Sequence, residues 1–305
     1  MELKAMMLGL PSSFPRRLMR LSLSQGLTLP FGFSTYLAIA WISVCVFTAI
    51  FAQVVAPYDP AAISLDARLA PPAFLGGSSD HLLGTDELGR DVLSRLIYSI
   101  QISVAVAVCG TVFSTVLGTL LGFIAAEFNS AIDECIMAVV DMQAALPFMI
   151  VALLVITVFG NSVPLFIVVL GLYGWERHAR VVRNVALTAR NHLYATAART
   201  YNASLPRIYL KHVLPACFPA IVAGTTVGLA QVVLLEGTLS FLGLGIQPPM
   251  SSLGNMVGLG RGYLMTAWWI AVFPGLAIAA SALALMLASD HLRGEGWSDK
   301  ESNKA

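Results

Sequence analysis

The residues best suited to chemistry lie in one short segment, His-Leu-Leu-Gly-Thr-Asp-Glu-Leu-Gly-Arg-Asp at 81–91. It places a histidine, three carboxylates and an arginine just before a run, 96–126, that contains no charged residue. Carboxylates bind hard cations, so one interpretation is a metal site at His81 with Asp80 and Asp86. The other is a helix start, which Thr85 or Asp86 can cap while early carboxylates complement the positive helix N-terminus. We favour the helix start and expect no metal.

Two further carboxylates, Asp141 and Glu236, lie in or beside apolar runs. An ionised side chain in a membrane span costs about 2.5–3.5 kcal/mol at mid-helix and is a functional candidate by default. Asp141 is expected near one membrane surface, either as a hydrogen-bond partner of a neighbouring helix or as a functional group. Gly243 and Gly245 follow Glu236 and predict a bent segment packed inside protein, where broken backbone is tolerated. Its role would be structural, gating or substrate contact.

Catalytic groups are not predicted in this chain. The sequence has no GxxxxGK[ST] phosphate loop, so we do not expect it to hydrolyse ATP. The apolar runs contain no histidine or lysine to pair with a nucleophile or carboxylate. His178, His192 and His212 are spread along a basic stretch, and we expect them at the surface.

The elements that position these residues are membrane spans. The chain is 57% hydrophobic and 11% charged, whereas soluble domains contain about 25% charged residues. The sequence therefore predicts an all-α polytopic membrane protein. A span needs about 20 residues, and six apolar runs are long enough or nearly so: 34–56, 97–126, 134–160, 162–177, 214–236 and 267–289.

The distribution of charge predicts the orientation of these spans. Basic residues prevail in the N-terminal segment 1–33 and in the loop 178–213, so both should be cytoplasmic. Acidic residues prevail in 57–96, which should lie outside the cytoplasm. The first span is too long for a signal peptide and is expected to be retained. The remaining spans form a core, 97–290, and a cytoplasmic tail, 291–305, follows.

The cytoplasmic loop has the pattern of two short helices separated by a sharp turn. Residues 195–201 favour a helix, and Asn202 tolerates the left-handed backbone at its end. Ser204 can cap the next helix, with Pro206 in its first turn. This element would either dock against another protein or serve as a surface loop whose arginines only fix the topology.

The same loop resembles the EAA loop of ABC importer permeases. The Ala pair, its spacing and the final Leu-Pro match, while Thr196 replaces the usual Glu and Asn202 the usual Gly. The resemblance implies that the loop docks an ATPase. The docking residues would then be Thr196, Ala197, Ala198, Arg199, Asn202, Ser204, Arg207, Leu214 and Pro215.

Three other segments, 81–91, 236–249 and 268–275, resemble the C-type subunit of the dipeptide/oligopeptide/nickel permease family. This resemblance implies a six-helix, type I ABC importer permease of MetI-like architecture. The family-motif and gating candidates are Gly84, Thr85, Asp86, Gly89, Arg90, Asp91, Asp141, Glu236, Gly243 and Gly245.

The resemblance also implies a function. The chain would be a bacterial inner-membrane permease subunit that carries di- or oligopeptides, or alternatively nickel or opine-like conjugates. Its expected partners are a homologous B-type permease subunit, two ABC ATPases, an extracytoplasmic solute-binding protein and membrane lipid, but no nucleic acid. ATP and magnesium would be bound by the ATPases and no cofactor by this chain. A stand-alone channel or intramembrane enzyme is the distant alternative.

Overall fold

The computed structural model describes residues 31–128, 131–190 and 204–302. Within these ranges the chain is helical, and the β-type pairing consists of a single bridge between Thr85 and Asp91. The main helices are α1 (Phe31–Val55), α2 (Val92–Glu127), α3 (Ala131–Ala145), α4 (Phe148–Phe159), α5 (Val163–Gly171), α6 (Trp175–Arg190), α7 (Leu205–Ile208), α8 (Leu214–Phe241), α9 (Leu253–Gly260) and α10 (Trp269–Ser302).

Four helical segments are long and apolar enough to cross a membrane. They are Ser34–Val55, Val92–Glu127, Tyr209–Phe241 and Trp269–His291, and α3 with α4 would make a fifth if the bent pair counts as one span. This confirms the prediction of an all-α polytopic membrane protein. The described helices do not reach the predicted count of six.

The predicted span 134–160 is not one helix. The helices α3 and α4 are bent by 90° relative to each other, with a break between Ala145 and Phe148. Pro147 lies at this break, where it has no N–H to continue the helix and disfavours helical backbone at the preceding residue. The prediction of one continuous span over 134–160 did not take account of Pro147.

The predicted span 162–177 is also interrupted. The helix α5 has nine residues and rises only about 14 Å, well short of about 30 Å of hydrocarbon. The chain then turns at Gly174, whose φ is +86°, before α6 begins. The hydroxyl of Ser114 in α2 donates to the Tyr173 carbonyl at 2.9 Å and fixes this turn.

Helix α2 is the centre of the fold, and it contacts α1, α3, α5, α6 and α8. Two glycines let α6 approach it closely, as the small-xxx-small spacing in the sequence predicts. A Cβ at Gly118 would lie 2.5 Å from the Trp175 carbonyl oxygen, and one at Gly122 would lie 2.7 Å from that of Ala179. Larger side chains here would separate the two helices.

The chain bends after α8, as the sequence predicts, but five residues later than the predicted span end at 236. Gly243 has a φ of +83°, and the Gly245 carbonyl accepts a bond from the Asn161 amide at 2.5 Å. The short helix α9 then packs against α8 and α10. A Cβ at Gly254 would lie 2.7 Å from that of Ser240, so α9 is seated tightly on α8.

Candidate functional site

Residues 81–91, called the acidic loop below, are organised around Asp86, which is fully buried. Its carboxylate accepts bonds from the backbone N–H of Leu88 at 2.8 Å and of Arg90 at 2.9 Å. It also accepts from Arg90 Nε at 2.7 Å and from the guanidinium of buried Arg95. One carboxylate therefore closes the loop and pairs with two arginines.

The cap of α2 is Asp91, so the prediction that Thr85 or Asp86 caps this helix is wrong. Asp91 Oδ2 accepts from the Ser94 backbone N–H and from the Ser94 hydroxyl, both at 2.7 Å. The other carboxylate oxygen lies 3.0 Å from His81 Nδ1. Asp86 cannot cap α2 because its carboxylate accepts hydrogen bonds from within the acidic loop. The Thr85–Asp91 bridge closes this loop.

The acidic loop is tied to the start of α10. The Thr85 carbonyl accepts a bond from Trp269 Nε1 at 3.1 Å. Gly84 has a φ of +77°, and a Cβ there would lie 2.6 Å from the Ala70 carbonyl oxygen and 2.9 Å from Trp269 Nε1. Gly89 also has a positive φ, +73°. Because Asp86 and Asp91 are both engaged by protein donors, the loop is held in one shape as a structural element.

A cavity of about 480 Å³ opens beside the acidic loop. It lies where the loop meets the connection between α8 and α9. Its lining includes charged and polar side chains from both segments and from α2: Glu87, Arg90, Arg95, Tyr98, Ser251 and Asn255. The loop thus offers a shaped, charged surface at the N-terminal end of α2.

Glu236 is almost completely buried, with 1% exposed. Its carboxylate accepts from the Ser240 hydroxyl at 2.8 Å and has side-chain hydrogen bonds to Ser103 and Ser252. Ser252 also caps α9. Glu236 therefore joins α2, α8 and the start of α9, which places it at the bent segment as a structural group.

Asp141 forms an ion pair with Arg180 on α6, with 2.8 Å between Oδ1 and Nη2. Both side chains are well exposed. This is the arrangement of a hydrogen-bond partner for a neighbouring helix. Exposed ion pairs contribute about 0–1 kcal/mol, so Asp141 adds little to stability.

Part of the predicted ATPase-docking loop can be located in the structure. Thr196, Ala197, Ala198, Arg199 and Asn202 lie outside the described residues. The short helix α7 starts directly after Ser204 with Pro206 in its first turn, as the sequence predicts, and Arg207 is exposed. A π-helical turn, Tyr209–Val213, leads into α8, which has Leu214 and Pro215 in its first turn.

The segment 204–213, called the coupling segment below, is anchored to two helix ends. Ile208 is buried in one apolar cluster with Ala126 of α2 and Ala186 of α6. The Tyr209 hydroxyl donates to Glu127 at the end of α2, at 2.9 Å. Displacement of this segment must therefore move α2 and α6.

His178 is buried, so the prediction that it lies at the surface is wrong. It lies between α2 and α8, with Nε2 3.5 Å from the Thr115 hydroxyl. The absence of a side chain at Gly224 on α8 leaves room for the imidazole, because a Cβ there would lie 3.1 Å from His178 Cε1. The Gly224-xxx-Gly228 spacing was the sequence signal that could have indicated this packing.

Helix α6 has one buried apolar face and one exposed polar face. We call Arg177, Arg180, Asn184 and Thr188 the polar face, since all four are exposed. Arg177 Nη1 donates to the Gln231 side-chain carbonyl of α8 at 2.7 Å. The opposite face, including Ala179, Val182 and Ala186, is buried. Helix α6 is therefore amphipathic, with its polar face left uncovered by the described part of the chain.

Comparison with known proteins agrees with this architecture. The family described as binding-protein-dependent transport system inner membrane component matches residues 118–294. The dipeptide transport system permease protein DppC of Escherichia coli K12 is 39% identical over 256 residues, covering 84% of this chain and 85% of that protein. The di/tripeptide permease DppC of Pseudomonas aeruginosa UCBPP-PA14 is 36% identical, covering 81% and 82%.

The fold is also found among solved structures. A chain of the inward-facing MetNI methionine ABC transporter superimposes with a TM-score of 0.53 at 20% identity, covering 67% of this chain and 95% of that one. This likeness supports the MetI-like helical architecture. Together with the family match over most of α2 to α10, it places the protein: the chain belongs to the ABC-transporter permeases, the inner membrane components of binding-protein-dependent transport systems.

Proposed function

We propose that this chain is the membrane-spanning subunit of an ATP-driven importer that carries dipeptides and other short peptides into the cytoplasm. The observation that carries the proposal is 39% identity over 84% of the chain to a dipeptide permease. The rigid acidic loop and the anchored coupling segment supply two surfaces that such a subunit needs, one at each end of α2.

The proposed assembly contains a homologous B-type permease subunit, two ABC ATPases and an extracytoplasmic solute-binding protein. The polar face of α6 supports a second permease subunit, because an exposed charged face at the level of the spans needs a partner or an aqueous path. The exposed Arg207 supports docking of an ATPase at the coupling segment. ATP and magnesium bind to the ATPases.

The proposed orientation places both termini and the coupling segment in the cytoplasm and the acidic loop outside. The excess of arginine in 178–213 and of carboxylates in 57–96 supports it. In this orientation the binding protein would dock beside the acidic loop and the ATPases at the opposite end of α2.

The proposed mechanism is a lever. Closure of the ATPases on ATP pushes the coupling segment, and buried Ile208 transmits the displacement to the ends of α2 and α6. The bundle then changes between inward-open and outward-open states. ATP supplies the driving energy because it binds the two states unequally.

The function is tested by reconstituting the chain with its three kinds of partner and measuring uptake of L-alanyl-L-alanine into proteoliposomes. ATP-dependent uptake that needs every partner is expected. Flux through the purified chain alone, or no uptake by the fully assembled complex, would overturn the proposal. For docking, Arg207→Glu should reduce co-purification of the ATPases, and unchanged co-purification would count against the proposed contact.

Coupling is tested with a matched pair in the coupling segment. Ile208 is buried and Leu210, two residues on, is 66% exposed. Ile208→Ala should lower the number of peptides imported per ATP hydrolysed, because it removes the packing that moves α2 and α6. Leu210→Ala should leave this ratio unchanged. Equal ratios in the two variants would refute the lever.

A further inference from the structure

Arg177 combines a full charge with an exposed position deep among the spans. Its neighbour His178 lies against Gly118 of α2 and Gly224 of α8. With a rise of about 1.5 Å per helical residue, Gly118 lies about 14 Å from Glu127 at the end of α2. Gly224 lies about 15 Å from the start of α8. Arg177 thus lies two to three helical turns, or about 14 Å, inside the ends of α2 and α8.

The surroundings of Arg177 are polar and come from three helices. Thr115 of α2 and Thr225 of α8 share a hydrogen bond of 3.1 Å, and His178 packs beside them. A small cavity at this point is lined by Thr111, Ser114, Arg177, His178, Gly228 and Gln231. The polar groups of α2, α6 and α8 thus meet beside the exposed guanidinium of Arg177.

The guanidinium of Arg177 has unused binding capacity. It has five N–H donors, and the hydrogen bond that it makes within the described part of the chain goes to the neutral side chain of Gln231. Among the ion pairs of the described residues, none involves Arg177, whereas Arg180 and Arg183 on the same helix each pair with an aspartate. Among Arg177, Arg180 and Arg183, Arg177 is therefore the arginine whose charge is available to an external anion.

We propose that Arg177, positioned by Gln231, binds the C-terminal carboxylate of the peptide as it passes through the bundle. A guanidinium matches a carboxylate in planar, bidentate geometry. Every linear peptide with a free C-terminus carries this group, so the contact does not depend on the side chains of the peptide. The contact must also be weak, because conduction requires that a bound solute can leave. This inference rests on the proposed function.

The test uses the whole transporter in nanodiscs and ligand-observed NMR, which detects weak binding. The probes are L-alanyl-L-alanine and its C-terminal amide, L-alanyl-L-alaninamide. The wild-type complex should bind the free acid about tenfold more tightly than the amide, as expected for one hydrogen bond to a charged group. Arg177→Gln should remove this preference, and Arg177→Lys should keep part of it.

Arg68→Gln is the matched control, because Arg68 is an exposed arginine far from this cluster and its loss should not alter the preference. Equal binding of acid and amide by the wild type, or an unchanged preference in Arg177→Gln, would overturn the site. Loss of the B-type subunit from the Arg177→Gln complex, with the peptide preference unaltered, would also overturn the site. Arg177 would then serve assembly of the complex. ATP-driven uptake by the wild type, measured in parallel, tests the proposed function separately.

Discussion

Replacing Asp86 by alanine should destabilise the protein more than any other single change in the acidic loop. The substitution removes the acceptor for two backbone N–H groups and for two arginines, one of which, Arg95, is 5% exposed. Removing one partner of a buried ion pair costs about 3–5 kcal/mol, because the other charge stays buried. The folding equilibrium should therefore shift by more than about a hundredfold.

The assay is the free energy of unfolding of the purified chain in mixed micelles, measured by denaturation with SDS. Glu87→Gln is the control, since Glu87 contacts only Arg90 among these arginines and its loss should cost about 1 kcal/mol or less. Adding Arg95→Met to Asp86→Ala should restore part of the stability, because the buried charge is removed. The reasoning fails if Asp86→Ala is as mild as Glu87→Gln.

Substitutions at Gly84, Gly118 and Glu236 test the packing, each with the same unfolding measurement. Gly84→Ala should cost about 1–3 kcal/mol because its φ is positive, whereas Gly262→Ala, with open space around it, should be nearly neutral. Gly118→Val should cost about 1–3 kcal/mol by forcing α2 away from α6, and a neutral result would contradict the close contact. Glu236→Gln keeps the hydrogen bonds to serine and should be milder than Glu236→Ala, which leaves serines unpaired at about 1–3 kcal/mol.

Much of the acidic loop was predictable from its residue types. A carboxylate before an apolar run indicates a helix start, and α2 begins there. The choice of the capping carboxylate was not predictable, because Asp86 and Asp91 are the same residue type and have the same propensity for that position. Long-range contacts distinguish these carboxylates. Arg95, one turn into α2, donates to Asp86, and Trp269 of α10 donates to the Thr85 carbonyl, so the loop forms around Asp86.

The number of spans was less predictable than their apolar character. Hydropathy measures composition and does not register that Pro147 and Gly174 interrupt the backbone. Burial of His178 depended on Gly224 and Gly228, which lie on another helix and are distant in the sequence. The polar face of α6 was likewise hidden, because the sequence lists the arginines of α6 but does not show which side of the helix packs on Gly118 and Gly122.

Helix α2 connects all the sites and explains why a polar loop is held so rigidly at its start. Its N-terminus is capped by Asp91, its C-terminal third packs closely against α6 and its last residues contact the coupling segment. A helix of 36 residues spans about 54 Å, so a displacement at Glu127 is carried to the acidic loop if the helix stays straight and firmly capped. The buried bonds of Asp86 and Asp91 stabilise that end, which gives the acidic loop a mechanical reason to be structured.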